Sequence, residues 1–346
     1  MFFSQTAVFF RFFYTFVQEW LMKVEFIMRM PKVSIIVPVH NTEQYLGKCL
    51  ASIFAQTLKD IEIILVENAS TDNSLELCHR YAQEDSRIRV IHLDKGDLST
   101  ARNEGVKIAH GDYVGFVDSD DTIEPTMYDD MHRLAVKHGL GMVTCLFRSV
   151  YDKKPARCNF SQDGRVRIVS AEELTTLNFL GEIPRSACVN LYRRDLFEQL
   201  QFPEDMYHED RASTFLFMAK CGKGGVIHKS YYNYYQRGGS IIHTKSFAHY
   251  RDFALACSKS LEYIHHSTTY TKEQKAVYAK YIADTFLRKL WHVIALGKNK
   301  HKDEVLQLCK KIAWIPKGTK LSSKAKLIRS YVEKVFLRLR RESIYR

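Results

Sequence analysis

The chain has 346 residues, with Lys+Arg 51 against Asp+Glu 39 for a formal net charge of +12, and is 46% hydrophobic and 26% charged. That length suits two domains, or one α/β domain with an appendage, and the composition excludes a disordered chain. The charge is local: residues 286–346 hold 17 basic and 4 acidic side chains while residues 1–285 hold 34 and 35, which excludes a body built as a general polyanion binder.

Residues 1–30 contain ten aromatics, interrupted by Arg11, Glu19, Lys23, Glu25 and Arg29. A spanning helix needs about 20 consecutive apolar residues, and no small-residue cleavage site follows an apolar run. The segment is expected to be a weakly ordered extension, or to precede a true start at Met28 or Met30, rather than an interfacial anchor.

From Lys32 the pattern becomes α/β. Val33-Ser34-Ile35-Ile36-Val37, ending at Pro38, reads as a strand buried on both faces. Asn41 or Thr42 is placed to cap a helix through Gln56, with Tyr45, Leu46, Leu50, Ile53 and Phe54 on one face. Strands are predicted over 61–66 and 87–93, separated by a helix that Ser70-Thr71-Asp72 opens, and a helix over 97–109 follows. A fourth strand over 113–117 ends in Asp118-Ser119-Asp120-Asp121, before a helix over 125–138 and a strand over 142–150. Residues 151–167 form a polar connection. The stretch 171–236 mixes short helices with the aromatic run Tyr231-Tyr232-Asn233-Tyr234-Tyr235, and the pattern is helical from Ser246 onward. Such alternation implies a parallel sheet with right-handed crossovers, whose ligands lie beyond the carboxyl ends of the strands. His40-Asn41, Glu67-Asn68 and 118–121 fall at those ends.

The eight cysteines include no CxxC pair, so they read as reduced thiols of a cytoplasmic protein. The three carboxylates of 118–121 repel one another, which calls for a raised pKa or a cation. Mg²⁺ or Mn²⁺ suits oxygen ligands and takes one or two carboxylates together with phosphates. The same acids would also cap the helix that follows.

With 32–150 laid out, the chain resembles glycosyltransferase family 2, enzymes of the GT-A fold. Four ordered motifs carry the resemblance: 33–41 (Val-Ser-Ile-Ile-Val-Pro-Val-His-Asn), 65–72 (Leu-Val-Glu-Asn-Ala-Ser-Thr-Asp), 98–105 (Leu-Ser-Thr-Ala-Arg-Asn-Glu-Gly) and 111–121, ending Asp118-Ser119-Asp120-Asp121. It implies an α/β, nucleotide-sugar-binding GT-A fold with a mostly parallel central sheet flanked by helices and a helical C-terminal appendage. The expected divisions are an extension over 1–30, a catalytic domain over 31–245 (nucleotide-binding 31–150, acceptor 151–245) and a basic helical region over 246–346.

The resemblance also implies inverting sugar transfer from a nucleotide diphosphate sugar. Pro38, His40, Asn41 and Glu43 would line the nucleotide pocket, with Glu67 and Ser119 in the same donor-binding set. Asn68 stands where the family usually has an Asp contacting the base. Its carbonyl can still accept from uracil N3, so UDP is the expected nucleotide. Arg102 falls where the family places an arginine near the diphosphate or sugar; a salt bridge inside the sheet-helix layer is its other role. Asp118 would face the ribose or donor sugar, Asp120 and Asp118 would hold the metal, and Asp121 would support or cap. Arg237 would hold the diphosphate and His243 would add a late metal ligand.

Residues 202–210, ending His208-Glu209-Asp210, resemble the family's second motif. An inverting transfer needs a base on the acceptor hydroxyl, and a carboxylate can serve. Asp210 is the candidate base and Glu209 the residue that orients it or binds the donor sugar; both would equally favour the N-terminus of the next helix. Asn190 stands where relatives often carry Lys, which weakens any acceptor contact there.

In the tail, Leu327, Ile328, Tyr331, Val332, Val335, Phe336 and Leu339 share one helical face, with Arg329, Lys334, Arg338, Arg340 and Arg341 off it. Such a helix fits either an anionic membrane surface, through 320–346, or packing on the body. The expected protein acts on a saccharide or lipid-linked acceptor in surface polysaccharide or glycolipid synthesis, peripheral on the cytoplasmic face of a membrane. A nucleotidyltransferase is the rival enzyme. A nucleic-acid binder is disfavoured by the near-neutral body, and a Rossmann dehydrogenase by Pro38 to Asn41 standing where GxGxxG would be.

Overall fold

The computed structural model describes residues 30–236, 246–297 and 299–344; residues 1–29, Arg237 and His243 lie outside them. In chain order its first half runs β1 (Val33–Val39), α1 (Glu43–Phe54), β2 (Ile61–Asn68), α2 (Ser74–Glu84), β3 (Ile88–Leu93), α3 (Leu98–Lys107), β4 (Tyr113–Phe116), β5 (Thr122–Ile123), α4 (Met127–His138) and β6 (Met142–Val150). Then come β7 (Val166–Ser170), α5 (Ala171–Leu180), β8 (Asn190–Arg193), α6 (Glu209–Lys220) and β9 (Lys223–Tyr235). Four longer helices follow: α7 (Phe247–His266), α8 (Lys272–Gly297), α9 (Lys302–Lys310) and α10 (Ser323–Ile344).

β3, β2, β1 and β4 lie side by side and parallel. β1, β2 and β4 are buried at every position, which is why their sequences run apolar without alternation. Helix α3 packs close on this layer at Gly105, where a Cβ would stand 2.5 Å from Ile36 Cγ2; only glycine permits that approach.

Beyond β4 the sheet is mixed. β8 slots antiparallel between β4 and β6, and β6 pairs parallel with β9. β9 also carries β5 and β7 as antiparallel neighbours. The parallel half therefore follows the strand-helix alternation, while the second half is set by pairings that alternation does not encode. Asn190, at the start of β8, is fully buried; it accepts from Thr144 Oγ1 at 2.7 Å and donates to Ser186 O at 2.6 Å, so it serves the sheet.

Apolar side chains gather in two groups. One fills the sheet and its flanking helices. The other lies among the long C-terminal helices and also draws in Phe179 of α5 and Phe215 of α6. Phe179, Phe215 and Tyr263 of α7 pack ring against ring with centroids 5.4–6.0 Å apart. Of the tail's apolar face, Ile328, Val332 and Leu339 are buried in this group, whereas Leu327 remains 75% exposed. Among the described residues, no helix is long and apolar enough to cross a membrane. All eight cysteines are free thiols.

Candidate active site

The carboxyl ends of β1 and β2 form one wall. His40 Nδ1 donates to the Asn68 carbonyl at 2.6 Å, and His40 Nε2 lies 3.1 Å from Asn41 Nδ2. Asn41 Oδ1 accepts from Thr71 N at 2.8 Å, and Glu43 Oε2 accepts from Asn73 N at 3.0 Å and Asn73 Nδ2 at 2.8 Å. Asn68 is buried, donates weakly to Gly96 O at 3.4 Å, and leaves its Oδ1 without a hydrogen bond. A buried, unpaired acceptor is costly unless a ligand or an ordered water supplies the donor.

Three residues assigned to donor binding face inward. Glu67 is fully buried: Oε1 accepts from Ser70 N at 2.6 Å and Oε2 meets His92 Nδ1 at 2.5 Å, which raises the imidazole pKa. Ser119 Oγ accepts from Thr42 Oγ1 at 2.9 Å. Thr42 makes no side-chain cap to α1. Arg102, with a side chain only 3% exposed, takes the salt-bridge role. Its Nη2 donates to Asp118 Oδ1 at 3.0 Å and its Nη1 pairs with Glu209 Oε1.

Arg102 thus joins the end of β4 to the start of α6. Helix α3 supports it with two neighbours on the same face. Ser99 Oγ donates to Pro203 O at 2.6 Å; Asn103 Nδ2 donates to Phe202 O at 2.9 Å while its Oδ1 accepts from Phe202 N at 3.0 Å. The 98–105 motif therefore stitches the 202–210 segment against the sheet. Asp121 fastens the acidic turn from the other side, accepting from Tyr232 Oη at 2.7 Å and Tyr235 N at 2.8 Å.

The carboxylates strain against one another. Burial, then Asp118 and Asp120, hold Asp121 well above the usual range. Burial pushes Glu209 up to about 7 against the pull of Arg102. Asp210, which accepts from Arg211 N at 2.6 Å, is raised by burial and by Asp118 despite the opposing pull of Arg102 and Arg211. Around one buried guanidinium there is thus an excess of acid, a donor set that fits a hard divalent cation. Among the described residues no three His, Cys, Asp or Glu side chains could hold a metal by themselves. A site completed by phosphate and water oxygens needs only one or two carboxylates.

Backbone strain marks the same region. Among the described residues the non-glycine residues at positive φ are Asn41 (50°), Ala69 (51°), Asp205 (55°) and His208 (64°), on the loops after β1 and β2 and on the one that leads into α6. Such conformations persist where surrounding contacts over-determine them. Asn, Asp and His are the non-glycine types that take left-handed backbone most readily, so of the four only Ala69 carries no mark of it in the sequence.

The family model described as Glycosyl transferase family 2 matches residues 34–201. GlyG of Streptococcus pneumoniae, a glycosyltransferase, is 31% identical over 224 residues, 62% of this chain and 73% of GlyG. The chain belongs to glycosyl transferase family 2. EpsJ of Bacillus subtilis, an uncharacterized glycosyltransferase, is 36% identical over 224 residues, covering 61% of this chain and 63% of EpsJ, so less than two thirds of that relative is matched. The crystal structure of S. aureus TarS 1-349 in complex with UDP-GlcNAc superposes with a TM-score of 0.65 over 89% of each chain, at 20% identity. The chain has the GT-A fold, and its mixed sheet with flanking helices is that fold's frame.

Proposed function

We propose that the protein transfers a sugar, with inversion, from a UDP-sugar to a hydroxyl of a saccharide or lipid-linked acceptor in surface polysaccharide or glycolipid synthesis. One observation carries the reading: Arg102 binds Asp118 and Glu209 at once, so the strand end suited to the donor and the helix start suited to the acceptor share one buried cation. Pro38, His40, Asn41 and Glu43 cradle the nucleotide. The unpaired Oδ1 of Asn68 suits uracil N3–H. The uridine nucleotide bound by the TarS neighbour agrees with this choice of donor.

Asp118 orients the ribose or donor sugar, and Asp120, with Asp118 and His243, would hold Mn²⁺ or Mg²⁺. When bound, such an ion stabilises the negative charge that develops on the leaving diphosphate. Arg237 adds a cation to that diphosphate. Asp210 accepts the proton of the acceptor hydroxyl during in-line attack on the anomeric carbon; its raised pKa makes it a better base near neutral pH than an exposed Asp. Glu209, fixed by Arg102, holds Asp210 in place. Glu67, Ser119 and Arg102 keep the cleft in shape from within.

The catalytic unit spans 31–245 and the helical region 246–346. We place the protein peripherally on the cytoplasmic face of a membrane. The contact would be made through the part of α10 not spent on the core: exposed Leu327, Tyr331 and Leu337 beside Trp291 of α8, among the basic side chains of 320–346. A panel of nucleotide sugars with Mn²⁺ tests the function. The expected result is metal-dependent transfer or hydrolysis of a UDP-sugar with release of UDP. Release of pyrophosphate, or no turnover of any nucleotide sugar, would overturn it.

A further inference from the structure

Behind the 202–210 segment, where α6 meets the C-terminal helices, three cations gather with no carboxylate in ion-pair contact, although Arg211 also acts on the adjacent Asp210. Arg211 follows Asp210 in α6, and its Cζ lies 4.6 Å from the centroid of the Phe253 ring on α7. Lys289 of α8 places Nζ 4.2 Å from the same centroid and 5.3 Å from that of Tyr250. Arg185, after α5, donates to the carbonyls of Asn178 and Phe179 at 2.7 and 3.1 Å and sets Cζ 5.0 Å from the ring of Tyr281, which is exposed. All three act on the buried Cys257 thiol.

Among the described residues, no carboxylate lies within ion-pair distance of Arg185, Arg211 or Lys289. The nearby Asp252 is committed elsewhere: its oxygens accept from Arg251 Nε at 2.7 Å and Tyr207 N at 3.1 Å. His208 and His249 add no negative charge. The cations feel one another: burial and then Arg211 bring Arg185 down to about 10, and burial with Arg211 lowers Lys289. Partly buried charges of one sign are costly together. Aromatic faces ease that cost but do not neutralise it.

We propose that Arg211, Lys289 and Arg185 form an anion site beside Asp210 that receives a phosphate group of the acceptor. This deepens the glycosyl-transfer reading and rests on it. Three donors on three elements suit a tetrahedral oxyanion with about two negative charges better than a planar carboxylate, which one arginine can satisfy. Arg211 follows Asp210 in the first turn of α6 and turns toward Phe253 of α7, so an anion held there would anchor the acceptor at a distance from the hydroxyl it presents to Asp210. The phosphate belongs either to a soluble phosphosaccharide or to a polyprenyl-phosphate carrier; the recognising chemistry is the same.

The test uses the full chain with its donor site saturated by UDP and inorganic phosphate as the probe, read by calorimetry. Phosphate is expected to bind. Arg211→Gln and Lys289→Gln should each weaken it by roughly tenfold or more, Lys289→Arg should largely retain it, and UDP affinity should stay constant. A Lys324→Gln/Lys334→Gln pair in the tail should leave phosphate binding unchanged. Equal phosphate affinity in wild type and both Gln variants, or loss only in the tail pair, would overturn the proposal. Failure of wild type to bind UDP would instead count against the donor reading. Displacement of phosphate by glucose 1-phosphate in solution identifies a soluble source, and displacement by polyprenyl phosphate in phosphatidylcholine vesicles identifies a lipid one.

Discussion

Arg102 is a buried cation between two carboxylates, so its removal leaves Glu209 and Asp118 facing each other unpaired. Breaking such a pair from one side costs roughly 3–5 kcal/mol. Arg102→Met should lose stability of about that size in urea titration, and Arg102→Lys should recover only part, since an ammonium lacks the planar fork that serves two carboxylates. Asp210 behaves in the opposite sense. Its pKa is raised by folding, so its favourable contribution is complete below the unfolded value and is lost as pH rises through the folded one. Asp210→Asn should therefore melt above wild type at neutral pH, with the gap closing toward acid. As the loss of a general base, it should also lower kcat by about 10²- to 10⁴-fold with little change in UDP affinity. A variant that is both inactive and less stable at neutral pH would contradict this assignment.

At the scale of elements, α3 does unexpected work. Its motif is legible in the sequence as part of a donor site. Yet Ser99 and Asn103 spend their side chains on Pro203 and Phe202, about a hundred residues away. Asn103→Ala should raise the KM for acceptor more than that for donor, because it loosens the 202–210 segment and leaves β1 and β2 untouched. The legible parts of the fold are those whose pattern is local: the apolar runs of β1, β2 and β4, the turn acids after β4, and the Glu209-Asp210 helix start. β7 and β8 are short and take their places through long-range pairing, so no periodicity announces them. Within the site, Glu67 and Ser119 look like ligand contacts because they sit at strand ends. Their partners, Ser70 N with His92 for Glu67 and Thr42 for Ser119, are fixed only by tertiary approach.

Across the whole molecule, the +12 charge resolves into a near-neutral catalytic body and a basic helical region. The tail helix has two apolar sides with different fates. Val332 is fully buried among the C-terminal helices, whereas Leu327 is in water. Val332→Asp should therefore lower the melting temperature, and Leu327→Glu should leave it unchanged while weakening co-sedimentation with anionic vesicles. Vesicle binding that survives Leu327→Glu at low salt would move the membrane contact elsewhere. The packing of Phe179 and Phe215 against Tyr263 has a consequence for anyone recombining relatives of this family. A chimera joined at residue 246 divides a single apolar layer between two parents, and the damage falls on α6, the helix that begins with Glu209 and Asp210. An exchange that carries α5 and α6 together with the C-terminal helices keeps that layer from one parent. The sheet sets the opposite limit: β8 lies between β4 and β6, and β9 pairs with β6, so the layer under the C-terminal helices is tied to the nucleotide-side strands and is best inherited with them.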